Sequence, residues 1–488
     1  MPGVNVTTET LAAPASRSRA RGATFFLTGI TERGPIDEAV LVRSMRAYEA
    51  AFGPRVSYGA VYDALLAFFA EGGARAYVGR VVGPDAVASE LELVDRAGSP
   101  LPTLRIQAVN PGAWGDAVTV AVANGTDPNT FTITITYGDA TETFANLASP
   151  AAAVTALEAS AYVRGTNLGS ATAAPNNNPA VLAATALTDG DDDRAAIVAD
   201  DYVTAADALL GPSLGAGAVA VPGQPASAVG EGLLAHARLN NRIALLATAS
   251  GQTESQAKAA AAALVGDEGS EFGGLFYPWI RIPAPGPSTR LVSPEGYVAG
   301  VRARAHELHG PWRAAAGDIA TPNFVVGVER VIDASTGDEL DAANVNVIRT
   351  IARAPRVYGW RSLSSDTENF SLLTARDVMN DVVVDALERM ERYVFRNIDG
   401  KGQLFSELAS ELVGMVEPMR SAGGLYERVD AESGQLLDPG YAVDTGPSVN
   451  TEETIAAGEI RAQLSLRVAP VGTLVTIVIS KAPLTTAL

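Results

Sequence analysis

Three histidines, His236, His306 and His309, are all that 488 residues offer for imidazole chemistry. A zinc enzyme gathers two or three histidines and a carboxylate at a suitable spacing. His306 and His309 stand three apart in HELH, but the HExxH pattern that puts two ligands on one helical face is absent. HELH runs straight into Gly310-Pro311, which reads as the end of a helix. Cysteine does not occur, so disulfides, thiolate metal sites and cysteine nucleophiles are excluded. A serine nucleophile would need a GxSxG elbow or a histidine in a recognisable setting, and the sequence has neither. No strand–helix junction carries a phosphate-binding glycine motif; the GxG of LGAGAVAVPG falls inside an apparent strand and reads as packing. The acidic run Asp189-Gly190-Asp191-Asp192-Asp193 fails as a calcium loop, because Arg194 stands at the sixth position and Asp200 at the twelfth. It reads as a solvated turn ahead of a helix. Neither a metal nor a cofactor is expected.

Charge narrows the partners. A formal net charge of −19 without a Lys/Arg block disfavours nucleic acid and anionic membrane surfaces. The N-terminus, MPGVNVTTETLAAPASRSRARG, lacks an apolar stretch of signal-peptide length, and no run is long enough to cross a membrane. A soluble protein made in the cytoplasm is the expectation. Hydrophobic residues make up 47% of the chain and charged residues 19%, a globular mixture with volume for several cores.

The elements that must position any site follow from periodicity. Residues 1–22 form an arm without a core. ATFFLTGI (23–30) is a buried-strand run. Ser44 can cap a short helix carrying Met45, Tyr48 and Phe52 that Gly53 stops. A second helix holds Val61, Leu65, Phe68 and Phe69, and ARAYVGRVV (74–82) is the next strand. Residues 88–185 change character: LRIQAV, AVTVAVA and FTITITY are short alternating strands set between turns, an all-β module inserted into an α/β domain. From 186 to 322 strands alternate with capped helices, which implies a largely parallel sheet covered on both faces.

Beyond 322 the texture reads as an α+β C-terminal domain, residues 323–488. FVVGVERVID and RVYGW resemble strands. A long helix begins at Thr374 with Asp377 in a capping-box-like position, its apolar stripe running from Met379 to Tyr393. A second helix spans 403–416 and stops before Pro418. The end of the chain alternates again, and TLVTIVIS (473–480) would be hazardous as an unpaired edge. From periodicity alone it is either a strand of its own domain or one that completes a neighbour's sheet.

Several stretches resemble the contractile tail sheath family, taken in order along the chain: PGVNV, GITERGPIDEAVLVRSMRAYEAAFG, GGARAYVGRVV, NPGAWGDAVTVAV (110–122), SPEGYVAGVRARAHELHGPWRAAAG (293–317) and NVNVIRTIARAPRVYGWRSLSSD (344–366). Arg361-Ser362 stands where Arg-Thr is usual, and Phe395-Arg396-Asn397 replaces a Phe-Glu-Pro-Asn turn. The resemblance implies a virion-tail or injection-system subunit, stacked as hexameric rings around an inner tail tube protein and meeting baseplate and tail terminator proteins. It also implies strand exchange between neighbours, placing Val4, Val6, Leu474, Val475, Ile477 and Ile479 in that linkage. Glu407, Ser410 and Glu411 become the expected tube-facing residues. A different lattice-forming protein, or an α/β enzyme with a pocket at its strand ends, are the alternatives.

Overall fold

A computed structural model describes residues 21–474. It is a mixed α/β, multidomain structure built around one eight-stranded sheet. In spatial order the strands are Ala354–Val357, Val345–Ile351, Gly273–Tyr277, Arg242–Ala247, Gly217–Ala220, Phe25–Gly29, Ala76–Arg80 and Val40–Val42. The six central strands pair in parallel, and each end carries one antiparallel strand. Strands buried on both faces are predominantly apolar, and Phe25–Gly29 and Arg242–Ala247 are buried at every position, with Thr28 and Arg242 satisfied by carbonyl partners.

Helices cover both faces. On one, Val61–Ala70 packs against Glu295–His309 so closely that a Cβ on Gly296 would lie 2.1 Å from the Ala64 carbonyl oxygen. Only glycine permits that approach. On the other face Ala226–Leu239 and Glu254–Leu264 seal a second apolar cluster. Ser44 caps Met45–Phe52 by accepting from the Ala47 amide, and Gly53 ends that helix at φ +82°.

Residues 90–186 form a three-stranded and a four-stranded antiparallel sheet around a core of their own. The Ala-rich stretch within them is a helix, Pro150–Leu157, capped by Ser149. The module is therefore not purely β: small residues behind a serine cap outweigh the strand-rich surroundings.

Several expectations for the C-terminal third need correction. Val345–Ile351 and Ala354–Val357 belong to the main sheet, although the texture beyond 322 assigned them elsewhere. Ala354–Val357 is the edge strand, while Val345–Ile351 is paired on both sides and buried over its first four residues. FVVGVERVID supplies only the two-residue strand Gly327–Val328, in a small sheet with Ile280–Pro283 and Thr289–Val292. The long helix spans Leu373–Met390, and Asp377 does not cap it, being turned inward onto Arg302. The following helix, Gln403–Ser421, passes through Pro418 to its last turn. Only the hydrogen bond to the Gly414 carbonyl is lost there, while Met415, Val416 and Met419 stay buried. These helices share an apolar cluster with the antiparallel pair Tyr441–Asp444 and Gln463–Leu466.

Candidate assembly surfaces

Along Gln463–Leu466, Gln463 and Ser465 are exposed while Leu464 and Leu466 turn inward. A groove of about 700 Å³ runs between this strand and the two helices, walled by Leu464 and Leu466 and floored by Met379, Val382, Leu408 and Leu412. Phe395, fully exposed at φ +63°, stands on its rim. Among the described residues the strands Gln463–Leu466 and Tyr441–Asp444 pair only with each other. Each therefore leaves an outer row of main-chain donors and acceptors open beside apolar surface.

Of the residues expected in strand exchange, Leu474 is 83% exposed and in no strand. Val4, Val6, Val475, Ile477 and Ile479 lie outside the described residues.

Glu407, Ser410 and Glu411 share one face of Gln403–Ser421. Their surface is less acidic than the sequence suggests. Glu407 pairs with Arg396 at 2.7 Å, and Glu411 pairs with Arg389 at 2.9 Å and also with Arg392. The Arg389 hydrogen bond holds the Glu411 carboxyl below the usual range. Ser410 donates to the Ser406 carbonyl at 2.8 Å. Three arginines thus neutralise the face from within the chain, a pairing that a sequence separation of 11 to 22 residues hides.

The motifs of the first half meet at the root of the inserted module. The Arg33 guanidinium lies 5.3 Å from the Tyr137 ring, 5.6 Å from Tyr162 and 5.8 Å from Trp114. Buried Arg80 donates to the carbonyls of Gly34 at 3.0 Å and Pro111 at 2.8 Å. The acidic run completes this joint and is no free turn: Asp192 is buried against Arg194, and its carbonyl accepts from Gly83. Asp193 accepts from the Asp85 amide and caps no helix.

In an open α/β sheet, ligands sit where the strand order reverses, outside the carboxyl ends. Here that place lies beyond Phe25–Gly29 and Gly217–Ala220, where a cavity of about 260 Å³ is lined by Gly29, Tyr58, Asp63, Gly223 and Trp279. The chain's own carboxylates fill the part an anion would play. Asp63 is held by Arg55 and Arg290, and Glu295 is buried with Ser293 and Gly223 as its polar neighbours.

Burial raises the Glu295 carboxyl from 4.5 to about 7. Its folded value exceeds its unfolded one, so the stability it contributes is complete below about 4.5 and is lost as pH rises through about 7. Glu295→Gln should flatten that slope in urea melts and raise stability at pH 8 by on the order of 3 kcal/mol. An unchanged profile would show that Glu295 stays ionised when folded.

The histidines are scattered. His236 is buried between Asp207, 2.7 Å away, and Arg242, 3.0 Å away. His306 is buried near Asp377, while His309 is exposed on the last turn before Gly310. Among the described residues no group of three potential metal ligands occurs.

No family model matches the chain, and no curated protein matches it in sequence. Solved structures do match in fold. The sheath tail protein of Listeria innocua aligns with a TM-score of 0.60 at 14% identity, covering 88% of this chain and 89% of that one. The sheath tail protein of Desulfitobacterium hafniense gives 0.56 at 13% identity, covering 91% and 93%. The sheath complex of an extracellular contractile injection system, PVC, in its contracted state, gives 0.55 at 15% identity, covering 99% and 98%. The chain therefore has the fold of contractile tail sheath subunits along nearly its whole length.

Proposed function

We propose that this chain is a structural subunit of a contractile sheath, without catalytic activity, that polymerises as stacked six-membered rings around an inner tube. In this reading the eight-stranded domain is the sheath body and the inserted module is its outer decoration. The helix pair with its small sheet is the inner, linking domain. One observation carries the reading most: a two-stranded sheet with open edges stands beside an apolar groove, within a fold shared with sheath proteins. Val475, Ile477 and Ile479 alternate, so a strand added beside Gln463–Leu466 would send all three into that groove. The N-terminal Val4 and Val6 would add to the other edge. Main-chain pairing tolerates rotation of the flanking bodies, as a link that survives contraction must.

The partners are other copies of this chain, a tube protein on the inside, and baseplate and terminator proteins at the ends, in a phage-tail-like particle assembled in the bacterial cytoplasm. The mixed-charge face of Glu407, Ser410 and Glu411 is the surface we assign to the tube.

Negative-stain microscopy of the purified chain at rising concentration should show hollow, striated tubes. Persistent monomers, with and without a tube protein, would overturn the reading. Glu407→Arg with Glu411→Arg should abolish co-assembly with the tube while self-assembly survives, and unimpaired co-assembly would remove that face from the account.

A further inference from the structure

At the foot of the N-terminal arm lies a buried ionic cluster that assembly through the small sheet does not explain. Arg302 stands in the middle of Glu295–His309, between buried Val301 and Ala303, and is 3% exposed. Its Nε donates to Asp377 Oδ1 at 3.0 Å, and one terminal nitrogen reaches the same oxygen. The other terminal nitrogen donates to the main-chain carbonyl of Gly22. His306 brings Nε2 to 3.5 Å from Asp377 Oδ2, and a Cβ on Gly22 would meet His306 Nδ1 at 3.3 Å.

Three segments converge on this one guanidinium. Gly22 lies in the first described turn, Arg21–Ala23, Arg302 belongs to a helix packed on the main sheet, and Asp377 sits in the second turn of Leu373–Met390. A buried ion pair is a poor source of stability, because desolvating both charges offsets their attraction. What it supplies is direction. A planar fork that binds a carboxylate on one side and a carbonyl on the other fixes both in distance and angle.

We propose that Arg302 is a positioning residue for assembly: it fastens the root of the N-terminal arm to the first turns of Leu373–Met390, so that the arm and the C-terminal helix pair turn as one body when the lattice changes. This rests on the sheath reading for its purpose, though not for its existence. A load on the arm passes directly to the helix whose far half floors the groove, instead of only through the first strand of the sheet.

Hydrogen exchange on the soluble full chain tests the joint. Arg302→Lys keeps a cation opposite Asp377 but cannot span to Gly22, so amides of 22–25 and of 373–380 should exchange about tenfold faster together, the loss of roughly one charge-assisted bond. The double variant Arg302→Met with Asp377→Leu leaves no buried charge, and should keep its melting temperature while losing the same protection. Its tubes should vary in width where those of the parent are uniform. Unchanged exchange at both segments, or a change at one alone, would overturn the joint. Absence of tubes from the parent chain would count against the sheath reading alone, and the exchange result would still decide whether the joint exists.

Discussion

Removing residues 473–488 should leave a folded monomer that forms no tubes at any concentration the full chain needs. Every core cluster among the described residues closes without that segment, so the melting temperature should stay within a few degrees. On the proposed strand exchange, what disappears is a strand whose Val475, Ile477 and Ile479 would fill a groove of about 700 Å³. Each such side chain contributes about 1.5–3 kcal/mol when fully buried. Their joint loss weakens subunit contact by more than about a thousandfold. Sedimentation and microscopy together give the answer, and tubes from the truncated chain would place the linkage elsewhere.

The second large effect is internal. Glu71 ends the helix Val61–Ala70 with its carboxylate fully buried. It accepts from the amides of Asn323 at 2.9 Å, Phe324 at 2.8 Å and Val325 at 3.2 Å, and from Arg304 at 3.1 Å. Arg304 in turn donates to the carbonyls of Ile319 and Thr321. One carboxylate therefore organises the loop that lays Val325 into the main core. Glu71→Ala strands the amides of Asn323, Phe324 and buried Val325 and leaves Arg304 without its buried counter-charge, a loss of about 3–5 kcal/mol. Fluorescence of Trp360, buried 5.7 Å from Phe276, should report it as a lower urea midpoint. A loss below about 1 kcal/mol would mean that apolar packing alone holds the loop.

The elements legible in the sequence are those with local signals. The Phe-Phe-Leu run ending at Gly29, the serine cap at Ser44 and the alternation of FTITITY each state their element without help from distant residues. What stays hidden depends on pairing across the chain. Arg302 is separated from Asp377 by 75 residues and from Gly22 by 280, so nothing local marks it except a guanidinium amid apolar neighbours. The arginines that neutralise Glu407 and Glu411 lie on the preceding helix and its exit. Pro418 misleads because it sits so near a helix end that a single lost hydrogen bond suffices. The groove is half visible, since the stripe from Met379 to Tyr393 and the alternation that makes Gln463–Leu466 a strand are plain, while their packing against each other is not.

The most direct test of the central claim uses the absence of native cysteine, which makes any disulfide an engineered one. Ser465→Cys lies on the exposed face of Gln463–Leu466, and Thr476→Cys or Val478→Cys would share that face of an added strand. A double variant oxidised under assembly conditions should run on denaturing gels as a ladder of covalent multimers that collapses to monomer on reduction. Crosslinking confined to single chains would show that each subunit completes its own sheet, and would contradict assembly by strand exchange.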